Sequence, residues 1–140
     1  MRVTFWRQFR FEAAHYLSGF EGKCGHIHGH NYVLSVRIKG VPGSDGFIIA
    51  SDELKQAMKP LMDRLDHALI IDNLPELSND GQIDISEFWG NVVEIGKRPT
   101  TENLAIWIYD QIMLIGHPEM LGRELAIDLQ ETHAMGVSIP

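Results

Sequence analysis

Scarcity is informative here before any motif is. One cysteine in 140 residues leaves no disulfide to form within the chain, which points to a reducing, cytoplasmic setting. Twelve lysines and arginines stand against 19 aspartates and glutamates, a formal net charge of −7. That balance argues against a nucleic-acid partner, whose phosphates attract basic surfaces. It leaves room for a small anionic substrate, because one basic pocket can sit on an acidic surface. No apolar run reaches the ~20 residues that span a bilayer, and the N-terminus has no signal-like apolar stretch, so no membrane partner is expected. Repeats and low-complexity segments are also missing. The length predicts one domain over residues 1–140.

What the chain does have is histidine in one place. Cys24-Gly25-His26-Ile27-His28-Gly29-His30 holds three of the seven histidines and the only cysteine. It runs into Asn31–Lys39, where apolar residues fall at every second position, as in a strand with one buried face. Residues i and i+2 of a strand share a face, so His28 and His30 aim at one point, with Gly29 between them. They share the parity of Tyr32, Leu34, Val36 and Ile38. Burying two imidazoles without partners is costly, and a metal accounts for them better than chance. His15 ends an earlier run with mostly apolar odd positions, Val3 to Ala13, and supplies a third nitrogen. Three histidines with an open position make a catalytic zinc set, although copper, nickel or iron also bind such nitrogens.

Cys24 has three readings from its spacing: a small buried hydrophobe, a fourth zinc ligand, or a thiolate beside the metal. Its polar, glycine-rich context disfavours the first. Glu131 lies in phase with Leu125, Ile127 and Leu129, on the apolar side of a strand, where a carboxylate needs a partner with N–H groups. Asp66-His67 follows a helical stripe of Leu54, Met58, Leu61, Met62 and Leu65, expected to start with Ser51 as N-cap and to kink at Pro60. A second helix opens at Pro99-Thr100 and ends at Gly116 and Pro118. Strands are expected over residues 2–15, up to Lys39, over Phe88–Ile95 and from Leu125 to Glu131, with an irregular excursion from Asp72 to about Ser86. This order predicts an α+β fold, a four-stranded antiparallel sheet with two helices on one face. Its open edges leave backbone groups unpaired, which oligomerisation would cover.

Phe11-Glu12-Ala13-Ala14-His15, Cys24-X3-His28-Gly29-His30-Asn31-Tyr32, Leu65-Asp66-His67, Pro99-Thr100-Thr101-Glu102-Asn103-Leu104-Ala105 and Glu131-Thr132 occur in that order. Together they resemble the 6-pyruvoyl-tetrahydropterin synthase / 6-carboxytetrahydropterin synthase family. The resemblance implies a tunnelling fold, in which three sheets join into a barrel and two trimers stack into a homohexamer with active sites between subunits. It implies Zn2+ on His15, His28 and His30, and Cys24 as the catalytic thiolate. Asp66 and His67 would be the proton-transfer pair. Glu131 would anchor the pterin, with Thr100 and Glu102 lining its pocket. The three-residue gap after Cys24 resembles the 6-carboxytetrahydropterin synthase branch. That branch converts 7,8-dihydroneopterin triphosphate to 6-carboxy-5,6,7,8-tetrahydropterin, losing acetaldehyde and triphosphate, in queuosine biosynthesis. The alternatives are the 6-pyruvoyl product or a non-catalytic zinc- and pterin-binding member. Lys23, Arg7 and Arg10 are the candidate triphosphate cations. Ala50-Ser51 and Ile71 depart from the family's usual Asp-Phe and Asn, and the Asn73–Lys97 segment is longer than usual.

Overall fold

The computed structural model describes residues 1–73 and 90–140. Two long antiparallel strands, β1 (Val3–His15) and β2 (His28–Gly40), are its spine and pair along their whole length, Val3 opposite Gly40 and His15 opposite His28. Helix α1 (Ser51–Leu65) follows, then β3 (Ala68–Ile71), β4 (Asn91–Glu94), α2 (Thr101–Ile115), a short α3 (Pro118–Leu121), β5 (Glu124–Thr132) and β6 (Met135–Ile139).

The sheet has six strands in the order β4-β3-β1-β2-β5-β6, and it is mixed. This corrects the expected four-stranded antiparallel sheet. β3 runs parallel to β1, and β4 runs parallel to β3. All four residues of β3 are buried, so no alternation betrays it as a strand. β6 is a five-residue edge strand that pairs antiparallel with β5 after a bulge between Gln130 and Thr132. The expected strand at Phe88–Ile95 is seen as β4 within the described residues, and the Asp72–Ser86 excursion lies mostly outside them. Among the described residues a third helix also appears, because Pro118 occupies the first turn of α3, where its missing N–H costs nothing.

One face of the sheet is covered. Odd residues of β1 and β5 and even residues of β2 (Phe11, Leu34, Val36, Ile127 and Leu129 among them) form one core with the helices. From α1 come Leu54, Met58, Leu61 and Leu65, and from α2 come Leu104, Ala105, Ile108 and Ile112. Each large apolar side chain buried in this way contributes about 1.5–3 kcal/mol relative to exposure. Helix α1 begins one residue earlier than expected, with Ala50 rather than Ser51 at the N-cap and no side-chain cap bond, and it runs through Pro60 to Leu65. Ser51 instead receives Arg7: one guanidinium nitrogen donates to its carbonyl at 2.7 Å and to its hydroxyl at 2.5 Å. Helix α2 behaves as anticipated, capped by Thr100 and closed by Gly116 at φ 69°. Ile71 is fully buried in β3, beside Leu69, which explains an apolar residue there.

On the other face the even residues of β1 from Thr4 to Glu12 stay exposed, while Ala14 packs against Leu69 and Ile71. Along its second edge β1 meets β3 only at Ala13–His15. Among the described residues no strand pairs with Val3–Phe11 on that side. No helix among the described residues is long and apolar enough to cross a membrane.

Candidate active site

The register of β1 and β2 decides where the histidines meet. His15 sits opposite His28 and Ala13 opposite His30, and all three imidazoles point to the helix-covered face at the same end of the sheet. One ligand nitrogen from each lies within 4.8 Å of the others. His15 is 2% exposed, and its Nδ1 donates to the Pro99 carbonyl at 2.7 Å. His28 Nδ1 donates to the His26 carbonyl at 2.7 Å. A carbonyl only accepts, so both rings carry their proton on Nδ1 when neutral, and both Nε2 atoms present lone pairs. Those two Nε2 atoms are 3.1 Å apart. Glu131 adds a carboxylate oxygen 3.5 Å from His15 Nε2 and 3.6 Å from His30 Nε2. Acceptors crowded around one point repel unless a cation lies among them. The donor set therefore fits a metal ion, and three imidazole nitrogens suit zinc among others.

Glu131 reaches this place because β5 pairs with β2, Leu129 opposite Leu34 and Gln130 opposite Val33, which leaves the next residue beside Tyr32 on the inner face. It is 8% exposed. The Tyr32 ring is stacked on Phe11, centroids 4.9 Å apart, and its hydroxyl hydrogen-bonds Glu131. Burial, then the Glu131 charge, then that bond push the Tyr32 hydroxyl far above its ordinary pKa, so it stays a donor. Burial holds His15 below its ordinary value of 6.5; the Pro99 bond opposes that and is outweighed. An imidazole kept neutral is what a metal requires.

A cleft of about 470 Å³ opens above these groups. Its walls include His15, His28, His30, Cys24, Thr100 and Glu102, together with Glu131. Seven of the nine candidate residues thus share one concavity in a single chain. Cys24 is exposed, on a single 3-10 turn at Lys23–Gly25. The loop before it is closed by Leu17 N–H donating to the Cys24 carbonyl at 2.8 Å. Gly25 is required there: a Cβ would lie 2.2 Å from the Phe20 carbonyl oxygen. Sequence reasoning did not find Tyr32 as a site residue, nor Thr101, nor Met135 and Val137 of β6 on the cleft wall. Tyr32 carried a signal, its shared parity with His28 and His30. The β6 residues carried none, since they are placed by the bulge.

Asp66 and His67 are not in this cleft. They follow α1 on the uncovered side of β1, where Asp66 Oδ1 accepts from the Glu12 N–H at 2.9 Å and His67 N–H donates to the Glu12 carbonyl at 2.6 Å. Their side chains pair, Nδ1 to Oδ2 at 3.0 Å, and that of His67 is 78% exposed. His67 is the non-glycine residue with positive φ, 59°, among the described residues. The Glu12 bond, ahead of the His67 contacts, holds the Asp66 carboxyl below its ordinary range. Of the candidate cations, Arg7 is engaged with Ser51, and Arg10 lines a polar trough on the uncovered face with Asn31, Gln130 and His133.

A family model described as 6-pyruvoyl tetrahydropterin synthase matches residues 4–139. A 6-carboxy-5,6,7,8-tetrahydropterin synthase from Haemophilus influenzae is 31% identical over 120 residues, 82% of this chain and 83% of that protein. A 6-pyruvoyl tetrahydrobiopterin synthase from Dictyostelium discoideum is 41% identical over 93 residues, covering 65% of this chain and 56% of that protein's length. Among solved structures, a Plasmodium vivax 6-pyruvoyltetrahydropterin synthase superposes with a TM-score of 0.78 at 22% identity, over 99% of this chain and 97% of that one. At that identity the likeness speaks to the fold.

Proposed function

This chain belongs to the 6-pyruvoyl tetrahydropterin synthase family, and from that premise we propose that it is a zinc-dependent lyase making 6-carboxy-5,6,7,8-tetrahydropterin from 7,8-dihydroneopterin triphosphate, with loss of acetaldehyde and triphosphate. The observation that carries the reading is the convergence of His15, His28 and His30 in one cleft with Glu131 and Cys24. His15, His28 and His30 are the residues to hold zinc, which when bound supplies Lewis-acid polarisation of oxygens on the substrate's side chain.

The other residues bind, orient and move protons. Glu131, aimed by the Tyr32 hydroxyl, accepts from the amino and ring N–H groups of the pterin, a pair of charge-assisted bonds that sets the ring's orientation. Thr100 and Glu102 border the same ring from the start of α2. Cys24, exposed at the cleft wall, is the general base in its thiolate form. Asp66 orients His67 as the second proton carrier. Because that pair faces away from its own chain's cleft, we assign it to the cleft of a neighbouring subunit. The unpaired Val3–Phe11 edge of β1 supports such an assembly, a homohexamer built from two barrel-forming trimers. Sedimentation as a monomer at working concentration would remove both the assembly and the shared site.

The three-residue spacing from Cys24 to His28 and the relatives named 6-carboxy-5,6,7,8-tetrahydropterin synthase favour the 6-carboxy product. The 41% identity to the Dictyostelium protein favours a second reading, triphosphate elimination to the 6-pyruvoyl product. Incubating zinc-loaded protein with 7,8-dihydroneopterin triphosphate and weighing the products separates them. A 6-carboxy product with acetaldehyde is expected. A 6-pyruvoyl product moves the branch, and pterin binding without turnover leaves a non-catalytic binder.

A further inference from the structure

The Pro99 carbonyl that takes the His15 proton is 84 residues away in sequence. Its aim matters, because a neutral imidazole carries one proton, and a proton parked on Nδ1 leaves Nε2 for a metal. The peptide around Pro99 is held from one side chain. Asn103 Nδ2 donates to the Arg98 carbonyl at 2.9 Å. The backbone N–H of the same residue donates to Thr100 Oγ1 at 3.3 Å, and the Thr100 N–H donates to the Arg98 carbonyl at 2.8 Å. Residues 98 and 100 are thus tied on either side of a buried proline, and the direction of the carbonyl between them follows.

We propose that Asn103 is a positioning residue for the metal centre: its carboxamide braces Arg98–Thr100, aims the Pro99 carbonyl at His15, and keeps His15 Nε2 free to bind metal. The inference rests on the reading of His15 as a ligand. The rival role is simpler, a residue in the first turn of α2 that stabilises only the helix. Asn103→Asp distinguishes them. A carboxylate in a first helical turn is favourable against the helix dipole, and the backbone bond to Thr100 is kept. A carboxylate cannot donate to the Arg98 carbonyl.

Four measurements on the full chain test this. In the unaltered, metal-free protein, long-range proton–nitrogen correlation should find the His15 proton on Nδ1. In N103D that proton should redistribute between the two nitrogens. Zinc affinity, read by competition with a chromophoric chelator, should fall about tenfold, the low end for groups that orient ligands. The absorption spectrum of the cobalt(II)-loaded variant should change, while its thermal midpoint stays near that of unaltered protein. N103A removes the donor without adding charge and should reproduce the loss. Zinc affinity within about twofold of the unaltered protein in either folded variant overturns the proposal, given the size expected of a brace. So does a His15 proton found on Nε2 in the unaltered protein. Failure of the unaltered protein to bind zinc or cobalt would instead remove the ligand reading, and the tautomer comparison would still judge the brace.

Discussion

Two histidine–carboxylate pairs stand at the same end of the sheet, on opposite faces, and they are built differently. His15 and Glu131 are 3% and 9% exposed at the side chain, on strands two places apart, locked by Pro99 and Tyr32. His67 and Asp66 are 78% and 45% exposed, adjacent in sequence, and tied to the fold through the Glu12 backbone. The first pair is desolvated, a neutral imidazole beside a carboxylate whose charge is little screened within one chain. The second is bathed in water, where an ion pair is worth little. A proton carrier there gains force only when another surface covers it. On the function proposed above, the fold pre-organises metal and pterin binding within one chain and leaves proton transfer to be completed by a neighbouring subunit.

The largest effect should come from the buried side. His15→Ala should abolish metal binding, and with it the stabilisation a ligand confers, about 4 kcal/mol at a thousandfold excess over its Kd. Thermal melts with and without added zinc check this: the unaltered protein should shift and the variant should not.

Next is the junction between the two sides. Cys24→Ala should lower turnover by about 10²–10⁴-fold while retaining zinc. Zinc lost along with the thiol would make Cys24 a ligand instead. Co-refolding Cys24→Ala with His67→Ala should then restore about a quarter of the activity, the share of sites receiving one intact residue from each parent in a symmetric assembly. No recovery in mixed oligomers would place both residues in one chain's site.

A smaller effect is expected from pH. His15 has its folded pKa held below 6.5, so between that lowered value and 6.5 the unfolded chain binds a proton that the native chain refuses. Metal-free stability should therefore be whole above 6.5 and decline as pH falls below it, by at most about 1.4 kcal/mol per unit for this one group. Urea titrations at a series of pH values, on unaltered protein and His15→Ala, would show whether the slope belongs to this residue.

The smallest lies on the exposed pair. Asp66 has a depressed carboxyl pKa, so its contribution is present above the ordinary carboxylate range and lost as pH falls through the folded value. Asp66→Asn should remove that acid-range dependence and change stability at neutral pH by no more than about 1 kcal/mol. Acid titration followed by circular dichroism would read it.

Most of the buried site was legible in the chain. His28 and His30 obey the period of β2, His15 that of β1, and Glu131 that of β5, because a strand with one covered face must alternate. Helix α2 announced itself through Thr100 and Gly116. The four strands of the expected sheet are there; what alternation could not reveal is β3, buried on both faces, and β6, an edge strand placed by a bulge. Residues 74–89, which take in most of the segment expected to be irregular and the first two residues of the strand expected at Phe88–Ile95, lie outside the described structure.

By itself, then, the sequence determined which residues point inward, since side-chain direction in a strand is a local property of the backbone. Only the tertiary structure decided which inward residues meet. His15 finds Pro99 across 84 residues, Glu131 finds Tyr32 through the β2–β5 register, and Asp66-His67 is turned to the opposite face from the three clustered histidines. Register and the parallel placement of β3 against β1 set those outcomes, and they follow from packing the whole core rather than from any one segment.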